Sequence, residues 1–548
     1  METPSITGCN HCGFGSTGTT NLPPSPVREL LGTNKIPNPS QERSIRDVLA
    51  SVQADNARLE SEIERVRSVL EHLQSERNVI QAYIEEHRAL LTPARRLYPE
   101  LIAEIFQHCS KGAERKRLHD ILDSFDPRQG PLLLAHICSE WRSVALSTPN
   151  LWTLIRVVIR RPRPAQLSLV EMWLSHSREL PLTIGIMERK PGAQPPTYPS
   201  VDWSNNQALA GLVRESRRWE TVQLMFPPST VTWGSFATIK NNVPLLRSLT
   251  LNVSRGMYSS NVVLDLFENT PRLKHLALDY AFPLSIVKVP CAQLMSLELS
   301  VHRQSPTSIN WCLEALYKIP ILRECVLHCG AFEPWHPFPM KVEHAFLRKL
   351  SIFAEPLRDG GFGDGLRSLF VRMTLPNLRS LTVQSTSNAR DWDHEPFVDF
   401  LSRSPHLEEL TLKCDTDVGD LAEALRETPN VHRLIVHCRS RGLDNLLRQL
   451  AGADEVYNAP NFLTKLSSLE LVDLDGTALP SFFIDMLKNR APARTHGRSP
   501  LQSVTLECPQ ASQLLTDRNT LQLIELGSNN LDLRIKQQSG MVLTMKPV

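Results

Sequence analysis

Three residues of metal-binding type lie close together near the start of the chain, at Cys9, His11 and Cys12. Thiolates and imidazoles are the usual protein ligands of zinc, and a structural zinc site needs four of them. No second Cys/His pair follows at the spacing of a zinc finger. We therefore predict that these residues group by chance and hold no metal; a zinc site is the sharper alternative.

Two other segments have compositions that could serve catalysis. His394 follows Asp391 and Asp393, which could form an acid–base cluster. The segment Gly360–Gly365 is glycine-rich, but it lacks the Lys-Ser/Thr pair of a phosphate-binding loop. The sequence also contains no GxSxG or HExxH motif. We predict a solvated turn at His394, a flexible loop at the glycines, and a protein that is not an enzyme and needs no cofactor. The alternative is an enzyme whose site carries no recognisable motif.

The composition limits the class of protein. The chain has 548 residues, 41% of them hydrophobic, which suffices for several domains or one long repeat array. A net charge of +2 is too balanced for nucleic acid to be the main partner. No apolar run of about eighteen residues predicts a membrane span, and the N-terminus does not resemble a signal peptide. We predict a cytoplasmic or nuclear protein whose eleven cysteines stay reduced.

A polar tail and a long helix are predicted at the start of the chain. Residues 1–40 are rich in Gly, Ser, Thr, Asn and Pro, and we predict that they are disordered. Residues 41–91 alternate apolar positions in the 4-3 pattern of a coiled coil. The a positions are Leu49, Asn56, Ile63, Leu70, Arg77, Ile84 and Leu91, and the d positions are Ile45, Val52, Leu59, Val66, Leu73, Ile80 and His87. Asn56 at an a position favours a two-stranded, in-register homodimer; the alternative is one helix folded back on its own chain.

Two short helices are predicted between residues 92 and 152. The apolar residues of the first are Leu97, Leu101, Ile102, Ile105 and Phe106, and those of the second are Leu133, Leu134, Ile137, Trp141 and Ala145. Pro99 suits a first helical position, and Pro149 ends the second helix. Each helix has only a partial apolar face, so the pair should leave apolar surface uncovered. The alternative is a helical hairpin with every apolar residue inside.

Residues 92–152 resemble an F-box, in the form expanded in fungi. The resemblance is carried by Leu97-x-Pro99-Glu100-Leu101-Ile102 with Ile105-Phe106, by Ile137-Cys138-x-x-Trp141-Arg142-x-x-Ala145, and by Pro149-x-Leu151-Trp152. Tyr98 stands where a second proline is usual, and Lys111–Gly130 is a polar insert. The resemblance implies docking on the Skp linker of an SCF-type ubiquitin ligase. The implied contact residues are Leu97, Pro99, Leu101, Ile102, Ile105, Phe106, Ile137, Trp141, Leu151 and Trp152.

Strand-like patterns begin after Trp152. Residues 153–218 are predicted to form a linker with entry strands at Leu154–Ile159 and Leu182–Ile186 and a helix near Leu167–Ser175. From Trp219 onward one phrase repeats, in which three apolar residues are separated by two variable residues and then by one. The phrases are Trp219-Val222-Leu224, Leu246-Leu249-Leu251, Leu273-Leu276-Leu278, Leu294-Leu297-Leu299, Leu322-Cys325-Leu327, Leu347-Leu350-Ile352, Leu378-Leu381-Val383, Leu407-Leu410-Leu412, Val431-Leu434-Val436, Leu466-Leu469-Leu471 and Leu501-Val504-Leu506. The helices predicted between phrases are Val262–Glu268, Ile309–Tyr317, Phe397–Ser402, Leu421–Arg426 and Phe482–Lys488.

Residues 219–548 resemble a leucine-rich-repeat solenoid. One repeat cannot bury its own apolar edge, but stacked parallel strands cover one another. The predicted fold class is therefore α/β: a long coiled-coil helix, a helical F-box, and a leucine-rich-repeat-like solenoid with parallel strands. Four cysteines fall two residues after the last apolar position of a phrase, and we predict that they are buried thiols rather than a metal or redox cluster. They are Cys329, Cys414, Cys438 and Cys508.

The variable strand positions of such an array face its concave side, which is the usual binding surface. The predicted target-binding residues are Asn252, Asp279, Glu298, His328, Gln384, Thr411, Lys413 and Glu470. Their mixed charge favours a protein or peptide ligand. We predict a substrate-recognition adaptor that joins the Skp linker to an unidentified target protein. The alternative is a coiled-coil and leucine-rich-repeat scaffold with no role in a ligase.

Overall fold

A computed structural model gives the structure of the chain. It describes residues 22–114, 123–159, 164–188, 206–226, 234–253, 263–279, 284, 286–300, 309–329, 341–354, 363–385, 394–413, 421–437, 443–452, 462–472, 482–490, 501–508, 523, 531–537 and 542–545. The chain divides into two compact units, Met1–Tyr98 and Pro99–Val548. Each unit is described by itself below.

The first unit is dominated by one long helix, α1 (Pro39–Leu90), which has 52 residues. Its start is fixed by a reciprocal cap: Asn38 Oδ1 accepts the Gln41 N–H at 2.8 Å, and Gln41 Oε1 accepts the Asn38 N–H at 3.0 Å. Pro39 at the first position costs no hydrogen bond there. The helix begins two residues before the segment predicted from the heptads. Of the tail predicted to be disordered, residues 1–21 lie outside the described residues.

A small helical bundle opens the second unit. It consists of α2 (Pro99–Glu114), α3 (Gly130–Ile137), α4 (Ser139–Ser147) and a 3₁₀ turn, Pro149–Trp152. The sequence predicted one continuous second helix, but its backbone is extended at Cys138, where the sulfur accepts the Trp141 N–H at 3.4 Å. Cys138 therefore ends α3 and caps α4.

The second unit is built on a sheet of fifteen strands. The strands are β1 (Leu154–Ile159), β2 (Leu182–Glu188), β3 (Trp219–Phe226), β4 (Ser248–Val253), β5 (His275–Asp279), β6 (Ser296–Ser300), β7 (Glu324–Cys329), β9 (Lys349–Ala354), β11 (Ser380–Ser385), β12 (Glu409–Lys413), β13 (Arg433–His437), β14 (Ser468–Val472), β15 (Ser503–Cys508), β16 (Asp532–Gln537) and β17 (Val542–Met545). Their order in the sheet follows the chain, and only β17 pairs antiparallel to its neighbour. Two further short strands, β8 (Val342–Glu343) and β10 (Met373–Thr374), pair with each other in parallel.

The repeated phrases stack in register across this sheet. The middle apolar positions pair in the order Val222, Leu249, Leu276, Leu297, Cys325, Leu350, Leu381, Leu410, Leu434, Leu469, Val504 and Leu533. The last apolar positions pair in the same way and end at Ile535. Every member of the middle column is buried. Because a strand alternates its faces, one matched pattern places the apolar residues of all these strands on one side.

The sheet extends beyond the predicted phrases at both ends. At the start, Ile155 pairs with Ile184 and Ile184 with Val222, so the two predicted entry strands belong to the same parallel sheet. The edge of β1 is covered by part of the polar insert, because the Ser124 N–H donates to the Arg156 carbonyl at 3.0 Å. Covering an edge strand in this way removes a site for unwanted strand pairing.

Helices lie between many of the strands. They are α5 (Pro164–His176), α6 (Gln207–Arg214), α7 (Ile309–Lys318), α8 (Gly363–Arg372), α9 (His394–Ser402), α10 (Leu421–Arg426), α11 (Leu443–Ala451) and α12 (Phe483–Arg490). The prediction of a helix at Val262–Glu268 is wrong for the part described, where Leu264 makes an isolated parallel bridge with Val287. The β-branched pair at its start disfavours a helix. Within the predicted glycine loop, a helix begins at Gly363.

The turns into several strands share a buried hydroxyl residue before a proline. Thr270, Ser404 and Thr428 are buried. Their carbonyls accept the N–H of the first apolar residue of the next phrase, as in Thr428 to Val431 at 3.3 Å. Proline at the next position fixes φ and thereby favours such a turn. Among the described helices, none is both long and apolar enough to cross a bilayer.

Candidate protein-docking surfaces

The helical bundle exposes large apolar side chains on both α2 and α3, together called the α2–α3 face. Leu101 and Ile105 lie one turn apart on α2 and are 52% and 46% exposed, while Leu133 and Ile137 lie one turn apart on α3 and are 44% and 53% exposed. The two helices pack against each other. Four large apolar side chains open to solvent on two contacting helices are typical of a protein-binding surface. The sequence pattern identified three of these residues as contacts; Leu133 was missed as a contact, although its spacing to Ile137 is the signal for it.

Four predicted contact residues lie instead inside the bundle. Ile102 and Phe106 on α2 are buried, as are Leu151 and Trp152. The indole N–H of Trp152 donates to the Ala145 carbonyl at 2.8 Å. In this fold these four side chains hold the bundle together, and the prediction that they form part of its surface is corrected accordingly.

Helix α5 accounts for the burial of Trp152. The Trp152 ring meets Trp173 edge to face, with ring centroids 4.8 Å apart. On its other side, Trp173 makes a similar contact with Phe125, at 5.3 Å. The bundle and the start of the sheet region therefore share an aromatic core. Burial of apolar surface contributes about 25 cal/mol per Å², so burying these large rings stabilises the fold by several kcal/mol.

The other three predicted contacts differ in exposure and in the unit to which they belong. Trp141 is half-buried, and its ring packs edge to face on Phe106 with centroids 5.1 Å apart. Pro99 is exposed as the first residue of α2. Leu97 is half-buried and belongs to the first unit. Trp141 therefore supports the bundle from its rim, so truncating it would disturb both core and surface.

The predicted target-binding residues all occupy strand positions that alternate with the buried ones. Glu298, Thr411 and Glu470 lie in one column across the sheet, and the remaining five lie two residues further along their strands. The sheet therefore carries two columns of variable residues. Most are polar, but Ala277, Val326 and Ile435 belong to the first column and Phe353 to the second. Asn252 is fully buried, with only 1% of its surface exposed.

His328 lies at the centre of the best-defined cluster on this face. Its ring stacks on Phe353 with centroids 4.6 Å apart, and its Nε2 lies 4.0 Å from Glu298 Oε1. Further along, Lys536 Nζ lies 3.3 Å from Glu470 Oε1. Phe353 and Lys536 were not identified from the sequence, because only the strand register shows what lies beside each predicted residue. The structure describes the backbone but not the side chain of Asp279.

A polar cavity of about 420 Å³ lies beside the starts of β11, β12 and β13. It is lined by Asn377, Arg379, His406, Glu408, Asn430, His432 and Lys465. Arg379 Nη1 donates to Glu408 Oε1 at 2.9 Å, and Lys465 Nζ donates to Asn430 Oδ1 at 2.7 Å. Asn430 in turn donates to the Pro405 carbonyl at 3.0 Å. These bonds join neighbouring repeats, so the lining side chains act as an inter-repeat ladder.

The structure describes only some of the residues considered for metal or acid–base chemistry; Asp391 and Asp393 lie outside the described residues. Cys9, His11 and Cys12 lie outside the described residues, within which no group of three metal-ligating side chains occurs. His394 is the half-buried first residue of helix α9, so the prediction of a solvated turn there is wrong; its Nε2 lies 3.2 Å from Glu423 Oε2. Of the four predicted inward cysteines, Cys508 is buried, and burial raises the pKa of its thiol. Cys414 and Cys438 are outside the described part of the chain, as is the side chain of Cys329.

Comparison with known proteins gives no family for this chain. No model of a protein family matches it, and no curated protein matches it either. Any assignment of function therefore depends on the residues and geometry given above.

Proposed function

We propose that this chain is an F-box protein, the substrate-recognition adaptor of an SCF-type ubiquitin ligase. The observation that supports the proposal is the exposed apolar face of α2 and α3, with Leu101, Ile105 and Ile137 at positions that match the F-box pattern. Exposing such a face to water costs free energy, and a partner that covers the face removes that cost. The partner in this proposal is the Skp linker.

The proposed role of the sheet region is to hold a target protein. Its in-register parallel strands and intervening helices support a leucine-rich-repeat-like solenoid, in which a broad row of variable side chains is displayed on one face. The cluster of His328, Phe353 and Glu298 offers an aromatic ring, an imidazole and a carboxylate side by side. Such a mixture suits a folded protein or a peptide better than a highly charged polymer.

The proposed mechanism is proximity. Catalysis belongs to other subunits, so this chain contributes effective concentration and orientation by binding linker and target at once. Its place of action in this proposal is the cytoplasm or the nucleus. A scaffold without a ligase role remains the second candidate.

The proposal is tested by capturing the Skp linker on the full-length chain. Leu101→Asp and Ile137→Asp each place a carboxylate in the centre of the proposed interface, and because both residues are exposed the bundle should still fold. The matched control is Val371→Asp, which changes a side chain that is 42% exposed on α8. We expect wild type and Val371→Asp to retain the linker and the other two variants to lose at least about tenfold in affinity, since one buried apolar side chain is worth about 1.5–3 kcal/mol.

Two results would count against this proposal. If all four proteins capture the linker equally, the assignment of the interface to α2 and α3 is wrong. If wild type captures none, the scaffold function is favoured.

A further inference from the structure

Helix α1 carries an apolar stripe along its length, at the a and d positions of its heptads. None of its residues is buried. The exposed residues at a and d positions include Leu49, Leu59, Ile63, Val66, Leu70, Leu73 and Ile80. The alternative considered from the sequence, a helix folded back on its own chain, would bury this stripe, and the structure buries no residue of α1.

We propose that α1 pairs with α1 of a second copy of this chain as a parallel, in-register, two-stranded coiled coil. A partner that covers the stripe must present apolar residues along the same length of helix and at the same 3.5-residue interval. A second copy of α1 meets each of these requirements, because a 3.5-residue repeat keeps both seams facing each other along the whole helix.

Two of the a positions within the stripe are polar, and Asn56 is the one that favours a particular register. Asn56 and Arg77 both occupy a positions, and in a parallel dimer each a position faces its own counterpart. In register, the two Asn56 amides meet and can hydrogen-bond, whereas a shift by one heptad places Asn56 against Leu49 or Ile63 and leaves its amide without a partner. In the single chain Asn56 donates to Glu60 at 2.8 Å, so the side chain is already aligned along the helix.

Charges on the flanks agree with the same arrangement. In a parallel pair, a g position lies beside the e position five residues later on the partner. This places Glu62 beside Arg67 of the second copy, with opposite charges. Glu76 occupies the g position next to Arg77 and can offset the charge that Arg77 brings into the seam. Asp55 and Glu60 meet as like charges, which is the one unfavourable contact of this kind along the helix.

The parallel arrangement has a consequence for the rest of the molecule. Both copies of α1 end at Leu90, at the same end of the coiled coil, and only residues 91–98 precede α2. The dimer therefore carries two copies of the α2–α3 face tethered near one another. This consequence rests on the proposed adaptor function, but the dimer itself does not.

Light scattering during size-exclusion chromatography tests the dimer on the full chain, without any linker present. We expect wild type at micromolar concentration to have twice the 61.8 kDa mass of one chain. The double variant Leu70→Glu/Leu73→Glu, in the seam, should be monomeric. The matched control Ser68→Glu/Ser75→Glu places the same charges on the opposite side of the same helix and should remain dimeric. A monomeric wild type, or a seam variant that stays dimeric, overturns the proposal.

Cross-linking tests the orientation. Leu49→Cys places thiols at the same a position of both copies, near the N-terminal end of α1. We expect mild oxidation to give a covalent dimer well above the level seen with wild type or with Ala54→Cys, which lies on the outer side of the helix. An antiparallel pair separates the two Leu49 positions by most of the helix length. Equal cross-linking by the two cysteine variants therefore overturns the parallel, in-register arrangement even if the mass is doubled.

Discussion

Arg490 is a fully buried guanidinium that joins three segments of the second unit. It donates to the carbonyls of Leu450, Phe462 and Leu463, at 3.4, 2.7 and 2.9 Å. These acceptors lie at the end of α11 and in the turn before β14, so one side chain joins both segments to α12. Arginine suits this role because its planar fork carries five donors.

Replacing Arg490 with methionine should destabilise the protein by roughly 3 kcal/mol or more, because each buried carbonyl left without a donor costs about 1–3 kcal/mol. Chemical denaturation monitored by far-UV circular dichroism measures the change. Arg433→Met, at an exposed arginine on β13, is the control and should stay within about 0.5 kcal/mol of wild type. Equal stability of the two variants would mean that the Arg490 contacts contribute nothing.

The cysteines differ sharply in how accessible they are. Cys109 and Cys138 are exposed, whereas Cys312, Cys325 and Cys508 are buried. Burial, and to a lesser degree the neighbouring Glu507 carboxylate, raises the pKa of the Cys508 thiol, so it stays protonated at neutral pH. Brief alkylation of the native protein followed by peptide mass spectrometry should modify the first two and spare the other three. Rapid labelling of Cys325 or Cys508 would contradict their place in the apolar layer of the sheet.

At the scale of one element, a strand of the sheet has an apolar side and a variable side. On β11, Leu381 is fully buried in the middle apolar column and Thr382 is its half-buried neighbour on the other face. Leu381→Ala should cost about 2–5 kcal/mol, because a cavity forms between Leu350 and Leu410. Thr382→Ala should cost less than about 1 kcal/mol. Chemical denaturation curves give the free energy of unfolding of both variants. Equal losses would contradict the assignment of one face of the strand to the core and the other to the variable surface.

The strands could be predicted because each one is specified by its own residues. The interval from Leu378 to Leu381 to Val383 repeats in every neighbour, so the correct register follows once the phrases are aligned. The helices between the strands were harder to predict. Helix α8, for example, begins at Gly363, within a glycine run that by itself predicts a loop. There the packing of Leu369 and Phe370 into the core overrides the local preference.

The role of Trp152 could not be predicted from its own segment. Its place in the F-box pattern implied a contact with the Skp linker, and large aromatic residues often anchor such interfaces. Its neighbour Trp173 lies on α5; a helix near Leu167–Ser175 was predicted there, but its packing against Trp152 was not. Leu101 and Ile105 form one stripe of α2, and Ile102 and Phe106 form the stripe beside it. Helical spacing alone does not show which stripe faces outward; the structure exposes the first and buries the second.

At the scale of the whole molecule, three functions are assigned to separate parts of one chain. The proposed dimer requires only α1, the proposed linker contact only α2 and α3, and the proposed target contact only the strands. Loss of one activity with retention of the other two is therefore the expected outcome for a surface variant in each part.

Calorimetric titration of the full-length chain with purified Skp linker tests the adaptor function most directly. We expect wild type and Val371→Asp to bind one linker per chain saturably, and we expect Leu101→Asp to bind it with an affinity at least about tenfold weaker. Absence of binding by wild type, or binding of Leu101→Asp with unchanged affinity and stoichiometry, would contradict the adaptor function.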